Sequence, residues 1–465
     1  MPSVQFPGRQ KRKYRNEHRR QYTFLGNFVQ LVEEDPTLAP GWKWKARYTV
    51  LSVLFTTWLV MFMDRMMMSV AIPYIAIDFN LSPLAMGGVM SAFFAGYTIA
   101  QIPGGMLGDR FGIRWVAAIA VAWWSVFASA TGLVSSVLQM LVVRTVVGLG
   151  EGLFPGCSFK GISMWFPPRE RATANAVMLA SNSVGPAITP LFAVALMLVW
   201  GWRVVYRSLF VPGILVLILL WRYVPDKPSE ARRISPEELK EIEGGASSSD
   251  KPAEKKTTMS EIMKERTVWQ CFFILLFFDM TLWGFMTWLP SYLVKARGFK
   301  MVQMGIAASL PFIAGTIGCI LGGWVSDKFF RDRRKIPIIA TQLMSALFLY
   351  LTFTTKVIFL MVVWQTLAGA CIKFFVGAFW ALPMNTVPKT VMGTAGGFLN
   401  LAAQTAALLA PLVIGYLVET SKGGFESTFM FLIGAALISC VLVFTLKSKK
   451  PEEAGAELIA AKSCQ

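Results

Sequence analysis

Arg144 and Glu151 stand seven residues apart in an apolar stretch, Arg-Thr-Val-Val-Gly-Leu-Gly-Glu-Gly-Leu-Phe-Pro-Gly from Arg144 to Gly156. On a helix this spacing puts a guanidinium and a carboxylate on one face, about 10 Å apart along the axis, so both are expected to look into one cavity. A cation there can hold an anion and a carboxylate can carry a proton. Each charge would cost on the order of 3 kcal/mol at mid-bilayer, so such groups normally face a bundle interior and mark a solute path. The plainer alternative is a buried ion pair that fixes helix register. Asp64 and Arg65 lie mid-way along the first apolar run, about 100° apart on a helix, so one is expected to face the cavity and the other a neighbouring helix.

Other polar groups sit within reach of the same chemistry. Tyr97 and Gln101, four apart, share a helix face and can bond a carboxylate or hydroxyl, or simply another helix; Asn400 and Gln404 repeat the pattern. Lys373 is positioned either to clamp the far end of an anion or to pair with Asp279. Lys160, nine residues beyond Glu151, is expected to leave that face and snorkel.

The elements that position these groups are apolar runs. The chain has 465 residues, 55% hydrophobic and 15% charged, which reads as a polytopic, all-α membrane protein. Runs fall at 48–76, 84–107, 113–133, 137–164, 173–200 and 203–223, then at 268–294, 302–326, 337–355, 357–386, 391–418 and 426–447. That is six plus six. The formal charge of +18 raises nucleic acid as a partner, but Lys and Arg concentrate in the tails, the central gap and alternate loops, so none is expected and the charge is read as topology, with both termini cytoplasmic in a cell (inner) membrane. Domains are expected at 1–47 (basic tail), 48–223 (six helices), 224–267 (linker), 268–447 (six helices) and 448–465 (tail). Within the linker, Ser235-Pro236-Glu237-Glu238 carries an N-cap, a proline at the first helical position and a capping-box Glu. Six unpaired-looking cysteines and one histidine, His18 in the tail, leave no disulfide framework, metal site or cofactor site.

The halves repeat a loop motif. Gly105-Met-Leu-Gly-Asp109-Arg110-Phe-Gly-Ile-Arg114 follows the second run, and Gly323-Trp-Val-Ser-Asp327-Lys328 follows the eighth. Small residues let helices pack closely, while the acidic and basic groups are expected to pair or part as that face closes or opens. Repeated halves with ionisable residues between them are the mark of alternating access.

These two loops resemble the signature of the major facilitator superfamily. Asp64-Arg65-x-x-x-Ser69, Ser91 to Gly105 with Tyr97 and Gln101, Arg144 with Gly148-Leu-Gly-Glu151-Gly, Trp165-Phe-Pro-Pro-Arg-Glu170-Arg171, Trp288-Leu-Pro-Ser-Tyr292 and Gly393 to Asn400 are similar to its anion:cation symporter family. The resemblance covers about 55–445 and implies twelve helices in two pseudo-symmetric six-helix bundles. It also implies proton-driven uptake of small organic anions such as hexonates, hexuronates and aldarates, with Asp64 and Glu151 as protonation sites and Arg65, Arg144, Tyr97 and Asn400 in the cavity. Met66-Met67-Met68 departs from the family by filling a stretch often more polar there, which suits a less hydroxylated carboxylate unless the methionines are core filler.

The function expected is thus a proton-coupled organic-anion symporter, working as a monomer in lipid. Exchange of organic anions or phosphates and solute sensing through the long tail are the alternatives. No phosphate loop, intramembrane histidine or Ser/His/Asp set supports an enzyme.

Overall fold

In lipid every backbone polar group must be satisfied within its own segment, and long apolar runs do this as helices. The computed structural model describes residues 44–231, 234–246, 266–330, 333–379 and 392–446. The first half contains α1 (Ala46–Phe79), α2 (Pro83–Phe111), α3 (Ile113–Ala130), α4 (Val137–Gly152), α5 (Phe154–Trp165), α6 (Arg171–Leu179), α7 (Ser181–Ser208) and α8 (Phe210–Tyr223). A short helix, α9 (Pro236–Ala246), follows. The second half contains α10 (Arg266–Lys295), α11 (Met301–Phe329), α12 (Lys335–Thr354), α13 (Ile358–Phe379), α14 (Met392–Thr420) and α15 (Glu426–Thr445).

Eleven described segments are long and apolar enough to cross a membrane. One of them, Thr173–Tyr223, has 51 residues, roughly 75 Å of helix against a hydrocarbon core of about 30 Å. It crosses twice, turning at Gly201, whose φ of +70° suits glycine. The membrane segments therefore number twelve, as the hydropathy pattern indicates. The tenth run's end at 380–386 and residue 391 lie outside the described residues.

Glycines set the closest helix contacts in both halves. A Cβ at Gly96 would fall 2.0 Å from the Thr145 carbonyl oxygen, and one at Gly148 would fall 2.0 Å from that of Phe93. The same device joins α11 to α13, where a Cβ at Gly318 or Gly377 would lie 2.2 Å from a backbone oxygen of Ala370 or Cys319. Small residues let these backbones touch. The halves meet along α2 with α14, α7 with α11, and α1 with α10.

The two membrane faces differ. On the face where α1 ends, Ser82 Oγ and the Leu84 N–H both donate to Glu419, at 2.8 and 2.9 Å. A Cβ at Gly87 would sit 2.3 Å from Pro411 O, and one at Gly415 2.6 Å from Pro83 O. The halves are sealed there, backbone against backbone. On the face where α1 begins, the linker helix docks on the first half. Glu238 does not complete a capping box on its own helix. Its carboxylate instead accepts from the Ala46 and Arg47 N–H groups of α1, both at 3.0 Å, because two adjacent free donors at a helix N-terminus bind an anion well. Glu241 accepts from Lys45 Nζ at 3.0 Å and pairs with Arg47 at 3.1 Å. Partial burial alone would lift the Glu241 pKa, yet hydrogen bonds to those cations hold it below the usual carboxylate range. The latch is thus present at neutral pH and is lost as pH falls through that lowered value.

Gly148→Ala should lower the melting temperature of the detergent-purified protein by several degrees, since overpacking typically costs about 1–3 kcal/mol. Gly88→Ala, where the nearest atom is Leu141 Cδ2 at 3.9 Å, should leave the temperature unchanged or raised. Equal tolerance at both positions would contradict the close-contact role.

Candidate functional site

Consecutive residues on α1 point about 100° apart, so Asp64 and Arg65 must address different neighbours. Each finds one on α4. Arg144 Nη1 donates to Asp64 Oδ2 at 3.3 Å, and Arg65 Nε donates to Glu151 Oε2 at 2.8 Å. The four charges form two crossed pairs between the same two helices. Glu151, Arg144 and Asp64 are deeply buried, at 0%, 1% and 3% exposed, while the Arg65 side chain keeps 7% exposure.

The two-turn spacing does not make Arg144 and Glu151 share a cavity wall, contrary to the expectation from sequence. A small cavity of about 20 Å³ is lined by Arg65 and Arg144 but by neither carboxylate. Each acid sits behind the arginine that it pairs with. Nor do Asp64 and Arg65 divide cleanly into a cavity residue and a packing residue, because Arg65 does both.

Aromatic rings fill the space between the cations. The Arg65 guanidinium lies 4.2 Å from the Tyr97 ring centroid, 4.9 Å from Phe62 and 5.1 Å from Phe93. Arg144 lies 5.1 Å from the same Phe93 ring. Ring quadrupoles attract desolvated cations by up to about 2 kcal/mol each and let two guanidinium groups stand near one another. Tyr97 enters the site as a ring stacked on Phe93 at 5.9 Å. The close approach of Gly148 to Phe93 and of Gly152 to Tyr97 brings these rings against α4. Phe93 was missed in the sequence, although its four-residue spacing from Tyr97 signals a shared face. Tyr206 was missed too. It is fully buried with an unpartnered hydroxyl, in electrostatic reach of Arg144 and Asp64, and no local spacing announces it.

One polar atom on each member of the quartet has no partner: Asp64 Oδ1, Arg65 Nη2, Arg144 Nε and Glu151 Oε1. A buried unsatisfied group costs about 1–3 kcal/mol, and more when charged. Two spare donors can take the oxygens of an incoming carboxylate, and two spare acceptors can take protons. Retaining four such atoms in one place is unfavourable for a purely structural ion pair.

The remaining candidates are placed as follows. Asn400 Nδ2 donates to Gln101 Oε1 at 3.1 Å, a bond across the halves between α14 and α2. Gln404 keeps its Oε1 buried and unpartnered. Lys373 on α13 and buried Asp279 on α10 sense each other's charge without coming within ion-pair distance, and neither lines the small cavity. In the last turn of α2, rather than in a loop after it, Asp109 pairs with Lys160 at 3.0 Å, and Lys160 also donates to Gly108 O at 3.0 Å. Lys160 has thus turned to the membrane surface. Gly105 packs against Gly156 of α5. The Arg114 N–H donates to Asp226 at 2.9 Å and its guanidinium covers Trp221; Arg110 lies over Phe111. These contacts stay within the first half. Lys328 lies over Trp324 at 4.7 Å, and the Asp327 side chain lies outside the described residues.

A family model described as Major Facilitator Superfamily matches residues 54–411 and 331–462. The chain is 31% identical over 424 residues to the probable galactarate/D-glucarate transporter GarP of Escherichia coli (strain K12), covering 85% of this chain and 93% of that protein. It is 30% identical over 426 residues to the probable sulfoacetate transporter SauU of Cupriavidus necator, covering 89% and 98%. Among solved structures, a bacterial homologue of the human lysosomal transporter Spinster, inward-facing and occupied, has the same fold. The TM-score is 0.70 at 19% identity, over 86% of this chain and 97% of that one.

Because Asp64 and Arg144 are partners, Asp64→Asn and Arg144→Gln should each destabilise the purified protein by about 3–5 kcal/mol, and the double variant should recover much of that loss. Additive melting-temperature shifts would contradict the crossed pairing. Arg144→Gln combined with Glu151→Gln should show no such recovery.

Proposed function

The chain belongs to the Major Facilitator Superfamily and is a multi-pass membrane transporter rather than an enzyme; from that premise we propose that it imports a small organic anion together with a proton by alternating access. The observation that carries this reading is the quartet, with its two spare donors and two spare acceptors behind a cavity lined by both guanidinium groups. Two of the relatives named above are a probable galactarate/D-glucarate transporter and a probable sulfoacetate transporter. All three compounds bear acid groups, which supports a carboxylate or a similar acid as cargo. Hexonates and hexuronates belong to the same chemical range.

The coupling follows from electrostatics. An anion that bonds Arg65 and Arg144 competes with Glu151 and Asp64 for the same cations. A carboxylate left buried without its cation is worth several kcal/mol less to the protein, and taking a proton removes that charge. Proton and anion therefore favour each other's binding, as two ligands with a positive coupling free energy must. With both aboard, the crossing site carries little net charge, and reorientation of the halves is easier than with either ligand alone. Two acids at the point of binding favour symport over plain exchange.

In this reading the moving bodies are residues 48–223 and 268–447, joined by the linker at 224–267, and one chain suffices because the cavity lies within it. Both termini and α9 face the cytoplasm across the inner membrane, so the sealed face, held by Glu419 and the Gly87 and Gly415 contacts, faces outward. Ser69 Oγ reaches the Met286 and Thr287 carbonyl oxygens at 2.9 and 2.6 Å in the cavity wall, which supports its roofing on that side. Gln101 and Asn400 are taken as a bond that holds the halves together and breaks as they part. Lys373, apart from the small cavity, is taken to meet cargo only once that cavity enlarges. Asp109, Arg110, Arg114 and Lys328 are taken to act at the inner gate, with Asp327 at the equivalent end of α11.

Reconstituted Glu151→Gln should lose proton-driven uptake by at least about 100-fold while anion binding or counterflow stays measurable, because the proton site is gone but Arg144 remains. Loss of binding together with uptake would instead make Glu151 a ligand or a structural group. Arg144→Lys should weaken anion binding by about 10-fold or more, since a planar fork is replaced by a point charge. Unchanged affinity would exclude direct contact.

A further inference from the structure

If the cargo is an organic anion, as proposed above, the lining of the cavity constrains the rest of that molecule. A polyhydroxylated acid brings several O–H groups, and each one buried without a partner costs about 1–3 kcal/mol. A site for such a ligand must therefore present several free donors and acceptors beyond those that take the acid group.

This cavity presents few. Apart from Arg65 and Arg144, its polar side chains are Ser69 and Thr287, with the indole N–H of Trp283 as one further donor. The Ser69 hydrogen is shared between the Met286 and Thr287 carbonyl oxygens, and Thr287 Oγ1 donates to Trp283 O at 2.6 Å. Both hydroxyl hydrogens are already committed within the protein, so these two side chains can offer a ligand only an oxygen lone pair each. The amides further along the interface do not line this cavity: Gln101 and Asn400 are bonded to each other, and Gln404 keeps its unpartnered Oε1 buried away from it.

What the cavity does present is thioether and ring. Met66, Met68, Met90 and Met286 converge on it from three helices, with Phe94 and Trp283 in edge contact at 4.8 Å across the two halves. Methionine is unbranched and polarisable and repacks at little cost, so an apolar pocket of about 20 Å³ can widen around a ligand by rotamer changes. Met67, between two of them in sequence, does not line the space. The arrangement pairs a two-arginine anchor for an acid group with an adaptable apolar socket beside it.

We propose that this transporter selects an organic anion whose acid group is carried on an apolar body with few or no hydroxyl groups, and that Met66, Met68, Met90, Met286, Phe94 and Trp283 recognise that body. A polyhydroxylated acid of equal size would have to leave most of its O–H groups unpaired against sulfur and aromatic carbon. Rejection then comes from desolvation rather than from a steric clash.

The test uses the full-length protein purified in detergent, with binding read by quenching of tryptophan fluorescence and by thermal shift. Binding is preferred to uptake because apolar weak acids cross lipid unaided. Phenylacetate and hexanoate are compared with D-galacturonate and D-gluconate, and 2-phenylethanol serves as an uncharged control. The proposal expects phenylacetate or hexanoate to bind at least about 10-fold more tightly than either sugar acid, and 2-phenylethanol not to bind measurably, because both the apolar body and the charge are needed. Equal or tighter binding of D-galacturonate or D-gluconate would overturn the proposal and leave the organic-anion reading intact. Failure of all four acids to bind would overturn both. Met68→Asn and Met286→Asn should each narrow the preference by at least about threefold through loss of apolar contact; an unchanged ratio in variants that still bind phenylacetate would remove these methionines from the recognition surface.

Discussion

Everything in this protein is arranged around two guanidinium groups that have more hydrogen-bonding capacity than their resident carboxylates use. Arg144 with Asp64 and Arg65 with Glu151 are crossed pairs, each leaving an orphan donor and an orphan acceptor out of water. Fully satisfied pairs would lock α1 to α4 and do nothing else. In the proposed cycle under-satisfied pairs exchange partners: an anion gives the arginines what it takes from the acids, and protons restore neutrality to the acids.

The scaffold keeps that balance fine. Glycines at 96, 148 and 152 draw α2 onto α4 until backbones touch, which sets the Phe93 and Tyr97 rings against both cations. Those rings hold charge without bonding it strongly, so the arginines stay available. Pro155 removes a helix donor and crowds the carbonyl of Glu151, four residues earlier, and the helix breaks at Leu153. The acid that pairs with Arg65 thus stands at the end of a rigid segment. Two residues past the Met66–Met67 pair, Ser69 donates to carbonyl oxygens of α10 and so ties α1 to the second half beside the cavity.

Much of the fold was legible because lipid imposes so few solutions: apolar runs of the right length, turn residues between them and basic loops are sufficient to read twelve segments. The ionisable residues at depth were equally visible, since nothing but function or pairing tolerates them there. Partner choice was not visible. Whether Arg144 meets Glu151 on its own helix or Asp64 on another depends on the rotation of α1 against α4, and no spacing along one helix encodes that angle. Glu238 shows the same limit. Its local pattern fits a capping box, yet the free N–H groups it binds belong to α1, about 190 residues earlier. Lys160 was legible, since nine residues beyond Glu151 it leaves that face, and in the structure it reaches Asp109 at the end of α2. The methionines were visible, but only the structure separates Met66 and Met68, which line the cavity, from Met67, which does not.

The most direct measurement of partner exchange is the number of protons taken up when an anion binds. It is read as the pH change of weakly buffered, detergent-purified protein titrated near neutral pH with whichever of phenylacetate or D-galacturonate binds more tightly. The account predicts uptake approaching about one proton per anion bound, falling sharply in Glu151→Gln or Asp64→Asn, because linkage requires the bound state to hold more protons than the free one. Saturable anion binding with no proton uptake at any pH between about 5 and 9 would contradict it.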